Sequence, residues 1–517
     1  MKKYLILIAL VVPFALTGQN AWDAYRYSQL SYQGTARSMA LGNAVTALGG
    51  DFGSLSLNPA AVAAYPYSEF TFTPALTSRF SAVDYFDVPT NDRYSRMGLS
   101  QFGYTGTWNT AYSRGLISLS FAAGYNKVQD FTEQTSVRLD GSTTSWLSPV
   151  AIMTNGIPYH KLEQESGYNP YYDSGAPWLS ILAWNTYLLD VLPGTDDQYI
   201  GGTENLDEEY KEIYVGGLLD QRFIRESKGS MGDYSFVLGA NFGDRFFLGT
   251  GLTFRNIYYQ TFEKFTETAQ NSDDFETRIT SYSHTYQQVT TGAGYHFQLG
   301  FIALPIHNLQ VALSVTTPTW TALTDEWQQR MTARFLDGYE HADSPYGNYS
   351  YKVRTPWRYR AGLSYVFGKA GLITFDYEGV DYRSMHMAAR YDKLVFDDEN
   401  DAIRHGSDDY KFGMSHIFRA GGEVRMANFV IRGGYGFYGA GEANLQHTHI
   451  ASGGLGIRGK QCFADLGVSY RLKENKDFAL DNRDGILVPE PVLHEPVLKI
   501  TNTLSRLRVA LTFGVRF

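Results

Sequence analysis

From Leu507 to Phe517 the chain alternates. Leu507, Val509, Leu511, Phe513, Val515 and Phe517 are large and apolar, while Arg508, Ala510, Thr512, Gly514 and Arg516 between them are small or polar. A period of two marks a β-strand with one greasy face. The same beat runs through 117–125, 234–242, 246–254, 295–301, 309–315, 357–367, 373–377, 429–437 and 464–470. Each stretch approaches the roughly ten residues that a tilted strand needs to cross a bilayer. The pattern predicts about fourteen strands, starting near residues 68, 98, 115, 232, 245, 290, 308, 355, 371, 412, 428, 449, 462 and 504.

The connections carry as much information as the strands. Those at 241–245, 303–308, 368–371, 427 and 459–462 are tight. The alternate ones, 76–97, 127–231, 260–289, 317–354, 383–411, 439–448 and 474–503, are long. Short and long connections alternate in a barrel with short periplasmic turns, long outer loops and both termini in the periplasm; a soluble sandwich has no reason to obey that parity. The predicted fold class is therefore all-β: an antiparallel transmembrane β-barrel of about fourteen strands. An N-terminal plug precedes it, and some helix lies in the plug and outer loops. One break in the beat is 176–191, where Trp178, Ile181, Leu182 and Leu188 follow helical spacing. That helix is either a landing surface for a greasy ligand or a lid packed on other loops.

Composition agrees with a barrel. Of 517 residues, 19% are charged and 15% aromatic, with 38 Tyr, 32 Phe and 51 Gly, a mix suited to lipid-facing strands, aromatic girdles and tight turns. Lys2 and Lys3 followed by the apolar run Tyr4–Leu16 read as a secretory signal, with cleavage expected after Gly18. The expected divisions are 1–18 signal peptide, 19–67 hatch and 68–517 barrel. No later apolar run is long enough for a membrane helix, which leaves a closed barrel as the membrane-crossing route. Cys462 is alone, so no disulfide forms within the chain. Net charge is −9, and losing Lys2 and Lys3 takes it to −11, which disfavours nucleic acid as a partner.

Residues 34–51 are dominated by Ala, Gly and Ser and can pack tightly in a confined space, as the bore of a barrel this wide demands. Pro59 cannot donate to a ladder and biases Asn58 away from helix, so this is a turn, or a cap before a short helix. Asn58-Pro59-Ala60, after a small-residue segment ending in Asp51 and before the first strand, resembles the FadL-type outer-membrane transporters of long-chain fatty acids. The version here looks most like the branch of Bacteroidetes-type bacteria. The resemblance in architecture spans most of the chain. At residue level it is concentrated in 34–61, with weaker echoes at 351–382 and 419–438. It implies a hatch containing Asp51, Asn58, Pro59 and Ala60 whose rearrangement, with a lateral opening in the wall, passes hydrophobic molecules by diffusion. It also implies a monomer with no cofactor. The terminal Phe517 is similar to the signal read by the barrel-insertion machinery.

With the bulky residues facing lipid, Arg358, Arg360, Asp376, Glu378, Arg506, Arg508 and Arg516 point inward, because charges facing lipid near midplane cost a few kcal/mol each. Such arginines either attract a carboxylate or, as is favoured, pair with inward acids and with the hatch, for example Asp51. The acidic clusters 196–197, 204–212, 273–274 and 397–401 read as solvated outer loops, and Ala402 sits where a calcium loop wants Gly. Two G-x-G-x-x-G matches, Gly434–Gly439 and Gly454–Gly459, lie on or beside alternating strands and are rejected as nucleotide sites. His447 and His449 share a face without a third ligand, so no metal is expected. No G-x-S-x-G elbow occurs. Three functions stay open: a conduit for hydrophobic molecules, a secretion-accessory or protein-binding barrel, and a barrel enzyme, the last disfavoured. Uptake of labelled fatty acid in a deletion strain separates the first from the others.

Overall fold

In the computed structural model the described residues are 19–517 without 86–87, 111, 113, 208, 210–211, 390–394, 408–409 and 480–498; the expected signal peptide lies outside them. Fourteen antiparallel strands close a barrel. We number them β1 (Glu69–Tyr85), β2 (Val88–Asn109), β3 (Leu116–Asp130, continued by Glu133–Ser142), β4 (Leu219–Phe242), β5 (Phe246–Ala269), β6 (Ile279–Ile306) and β7 (Leu309–Thr316, continued by Trp320–Phe335). The second half holds β8 (Gly338–Asp343, Gly347–Arg354 and Arg358–Val366), β9 (Gly371–Asp381, continued by His386–Ala389), β10 (Met414–Met426), β11 (Phe429–Tyr438), β12 (Thr448–Arg458), β13 (Cys462–Ala479) and β14 (Lys499–Arg516). Closure is direct: β1 pairs with β14 from Glu69↔Arg516 to Asp84↔Thr501. Ser68 and Phe517 extend the seam with two backbone bonds of 3.2 and 3.0 Å.

The strands run far beyond the alternating stretches. Segments 76–97, 260–289 and 317–354, expected as long loops, are largely strand: β1 and β2 pair up to Tyr85↔Val88, and β5 and β6 up to Thr268↔Ser281. The reason is solvent. Inside the bilayer the outer face must be apolar, which writes the beat into the sequence. Above it the same ladder is held by backbone bonds while Thr, Gln and Ser occupy both faces. Cluster 397–401 is also not loop but the start of a helix, Asp397–His405, whose first-turn acids suit the positive end of its dipole. In β7 and β8 the ladder breaks side by side at 317–319 and 355–357, where Pro318 and Pro356 bring no N–H. The hydroxyl of Thr355 accepts from Thr319 N at 2.9 Å and patches the break.

The outward face is greasy as the parity predicts: Phe236, Leu238, Phe254, Phe297, Leu313, Phe375, Leu511 and Phe513 are exposed. One expected site, the helical segment at 176–191, has its apolar face covered. The helix Trp178–Asn185 forms, but Ile181, Leu182 and Leu188 have no exposed surface. They pack with Trp146, Leu147 and Tyr282 in a cluster over the barrel mouth, and Trp178 lies half-buried against Trp327. The apolar side chains of the helix are thus taken up by neighbouring loops and strand extensions.

Leu238 is 62% exposed on the lipid face of β4. Leu238→Arg is expected to cost roughly 2–4 kcal/mol, seen as a lower midpoint in urea-dependent refolding into lipid vesicles; Leu238→Ile leaves the midpoint near wild type.

Candidate functional site

Residues 19–67 precede β1 and fill the bore. The helix Ala21–Ser28 starts at Asn20 with a capping box, in which Asn20 accepts from the third helical residue and Asp23 reaches back. Thr35 caps a second helix, Ala36–Ala40. Asp51 caps a 3₁₀ turn, Phe52–Ser56, by accepting from Gly53 N at 2.8 Å. Asp51 also accepts from the Thr35 hydroxyl at 2.8 Å. It makes no ion pair with an inward arginine among the described residues, so the expected link between Asp51 and the lumen arginines is corrected: a short carboxylate inside the hatch is used up by turn donors.

Asn58-Pro59-Ala60 works as both a turn and a cap. Asn58 is fully buried; its Oδ1 accepts from Ala60 N at 3.0 Å, and Pro59 opens a 3₁₀ helix, Pro59–Ala64. Its Nδ2 donates to Thr46 O at 2.8 Å and more weakly to Phe301 O of β6 at 3.4 Å. One side chain thus ties the hatch to itself and to the wall.

The wall receives the hatch on glycines. A Cβ at Gly434 would overlap the backbone of Leu41 and Gly42; at Gly421, the carbonyl of Leu41; at Gly467, that of Ala36; at Gly249, the Pro59–Ala60 peptide. A strand glycine marks a place where another backbone comes close. That accounts for part of the two glycine patterns set aside as nucleotide decoys: Gly434 seats the hatch backbone, and a Cβ at Gly454 would meet Ala40. No reading of strand parity alone identifies these seats.

The inward charges form two buried networks. Glu378 of β9 is shared by Arg358 (2.8 Å), Arg360 (3.3 Å) and Arg419 (2.7 Å), and is fully buried. Arg358 donates to Ser28 O at 2.5 Å and Arg360 to the Tyr32 hydroxyl at 2.6 Å, both in the hatch. Asp376 accepts from Thr46 N at 2.8 Å. The second network joins Glu423, Arg432 and Asp465 at 2.7 Å, and the hatch adds Arg37 to Glu423 at 3.3 Å. Inward parity extended to β10, β11 and β13 reaches Arg419, Glu423, Arg432 and Asp465, whereas nothing in the local sequence singles out Arg37 of the hatch. Arg516 pairs with Glu69 at 2.9 Å. Arg506 and Arg508 differ: among the described residues neither has a carboxylate within ion-pair distance.

The wall is not zipped along its whole height. β2 and β3 pair from Asn109↔Ser118 up to Gln101↔Asn126 and no further. Above that rung β2 keeps its bonds to β1, and β3 keeps its bonds to β4. Higher still the edges meet again through side chains, Asp92 accepting from Ser136 N at 2.7 Å. Between lies a window. The hatch stands in it: Ser31 N donates to Val128 O at 2.7 Å and Gln33 N to Lys127 O at 3.1 Å, two rungs of a ladder on the free edge of β3. On the other side Ser100 of β2 donates its hydroxyl to Gly34 O at 2.7 Å.

No protein-family model matches the chain, and no curated protein sequence matches it. Solved structures do. The toluene transporter TodX of Pseudomonas putida superposes with a TM-score of 0.52 at 11% identity, covering 93% of this chain and 98% of that one. A FadL homologue of Pseudomonas aeruginosa gives 0.53 at 11% identity, covering 94% and 99%. The shared property is the fold: a fourteen-stranded barrel matched over nearly its whole length.

Two outcomes follow from the hatch geometry. Glu378→Gln strands three buried guanidinium groups and is expected to cost about 3–5 kcal/mol, read as loss of heat-resistant folded barrel in detergent. Gly434→Val leaves no room for Leu41 and Gly42, and is expected to raise single-channel conductance in planar bilayers above the wild-type level.

Proposed function

We propose that this chain is an outer-membrane conduit, not an enzyme. In this reading small hydrophobic molecules, long-chain fatty acids among them, diffuse into the plugged barrel and leave sideways into the membrane through the window between β2 and β3. The observation that carries the reading is that the hatch both fills the bore and supplies the missing rungs at the window, so one rearrangement opens the path and the wall together. An apolar molecule gains nothing by entering the aqueous periplasm, whereas a side exit at bilayer height delivers it to hydrocarbon. The fold shared with a toluene transporter and a FadL homologue supports the class of cargo.

Export by the N-terminal signal, assembly by the barrel-insertion machinery acting on the Phe517 end, and a monomer surrounded by outer-membrane lipid complete the proposal. Asp51, Asn58, Pro59 and Ala60 serve as the hatch gate, and the lid over Ile181 and Leu182 shields the outer mouth. The test is uptake of labelled oleate and of toluene by cells lacking the protein. Both are expected to fall several-fold and to return with a plasmid copy; unchanged uptake of both removes the reading.

A further inference from the structure

We infer that the outward face of β5, β6 and β7, above the greasy belt, is a binding site for the phosphorylated sugar headgroup of a glycolipid in the outer leaflet. The inference rests on the membrane placement argued above and not on what passes through the bore. Phe254, Tyr295 and Trp320 stand side by side on one rung of these strands, all exposed, with the Tyr295 and Trp320 rings 5.5 Å apart. An even step along a strand keeps a residue on its face. Further out on that same face comes the rung Lys264, Thr285 and Arg330. The next two rungs are Thr266, Ser283 and Thr332, then Thr268, Ser281 and Arg334. Aromatic side chains thus give way to hydroxyls and cations on one continuous outer surface.

That surface is hollow. An open groove of about 660 Å³ is lined by Lys264, Thr285, Thr332 and Arg334 among others, with Phe262 at its lower end and Tyr339 at its upper end. The Ser283 and Thr332 hydroxyls bond each other within it at 2.8 Å. The outward acids nearby are engaged elsewhere. Asp343 accepts from Arg330 at 2.8 Å, Glu226 pairs with Lys228 at 3.1 Å, and Asp220 accepts from Gly141 N and from Gln270. Arg334 lies over the Tyr339 ring at 5.1 Å, and Arg222 of β4 stands opposite Thr266. Among the described residues Arg222, Lys264 and Arg334 have no carboxylate within ion-pair distance. In a chain of net charge −9, three unneutralised cations around one groove reverse the local charge and call for an anion.

The anion is identified by where the groove stands. An outward face is flanked by lipid, and Tyr258 is the uppermost exposed aromatic of β5 below the groove. From Tyr258 to Lys264 is about 20 Å along the strand, or about 15 Å in height at the usual tilt. Ordinary phospholipid headgroups add only about 6 Å to each side of the hydrocarbon, so a group reaching this height belongs to a larger, sugar-bearing headgroup. Lys and Arg hold phosphate oxygens by charge-assisted bonds. The threonine and serine hydroxyls between them match the hydroxyls of sugar rings. Lys264 and Arg334 lie about 16 Å apart at the backbone, four residues along and two strands across. With both side chains leaning in, that gap takes a disaccharide with a phosphate at either end.

Native mass spectrometry of the full-length protein in detergent counts bound rough lipopolysaccharide with a phosphorylated core, and heat-modifiable gel migration checks folding. Wild type is expected to carry one glycolipid per chain. R222Q/K264Q/R334Q is expected to bind it about a hundredfold more weakly. R138Q/K228Q, which loses outward cations already paired with acids, is expected to bind like wild type. A second readout keeps every cation: in C462S/T285C the glycolipid is expected to slow maleimide labelling several-fold, and inorganic phosphate to leave it unchanged. Equal binding by the triple variant, or equal binding of the dephosphorylated glycolipid, overturns the site. So does displacement by inorganic phosphate, which reduces it to a free-anion patch, or a dimer without glycolipid, which gives the groove to a second copy of the chain. The conduit reading is decided separately by uptake, so either can fall while the other stands.

Discussion

The free edge of β3 above Asn126 is the constraint on which the rest of this molecule turns. A strand that loses its neighbour leaves a row of backbone N–H and C=O groups unpaired, and each must find another partner. β2 does not supply one. The hatch does, through Ser31 and Gln33. The plug is therefore not a loose cork but part of the hydrogen-bonded wall, and any motion of residues 31–34 changes both the bore and the window.

Holding a segment of little secondary structure at a defined height needs more than two rungs. The glycine seats at 249, 421, 434 and 467 let hatch backbone approach wall backbone, and Asn58 cross-braces the two. The arginine–carboxylate networks around Glu378 and Glu423 then fasten residues 28, 32 and 37 from the other side of the bore. Such networks gain little net stability over an apolar core, because desolvating the charges offsets their attraction. What they provide is position: a guanidinium aimed at the carbonyl of Ser28 tolerates one placement of that helix end and few others.

Strand parity, turn length and aromatic content made the barrel legible, because lipid imposes apolar residues on every second outward position. The inward aim of Arg358, Arg360, Asp376, Glu378, Arg506 and Arg508 followed from the same reasoning, and the cap at Asn58 from Pro59, which brings no N–H and biases its predecessor away from helix. The strand extensions were misread as loops for the complementary reason: above the bilayer nothing enforces the beat. The helix at Trp178 was legible as a helix, but its burial depended in part on strand residues more than a hundred positions away, Tyr282 and Trp327.

By itself, then, the amino-acid sequence determined the number of membrane-crossing strands, their faces and the presence of a small-residue segment before them. These are local consequences of a solvent that meets each residue singly. Only the tertiary structure decided which inward arginines receive a carboxylate and which do not, which glycines meet the hatch, and where the wall parts. Those depend on what stands across the bore, and residues from distant parts of the chain become neighbours only when the cylinder closes.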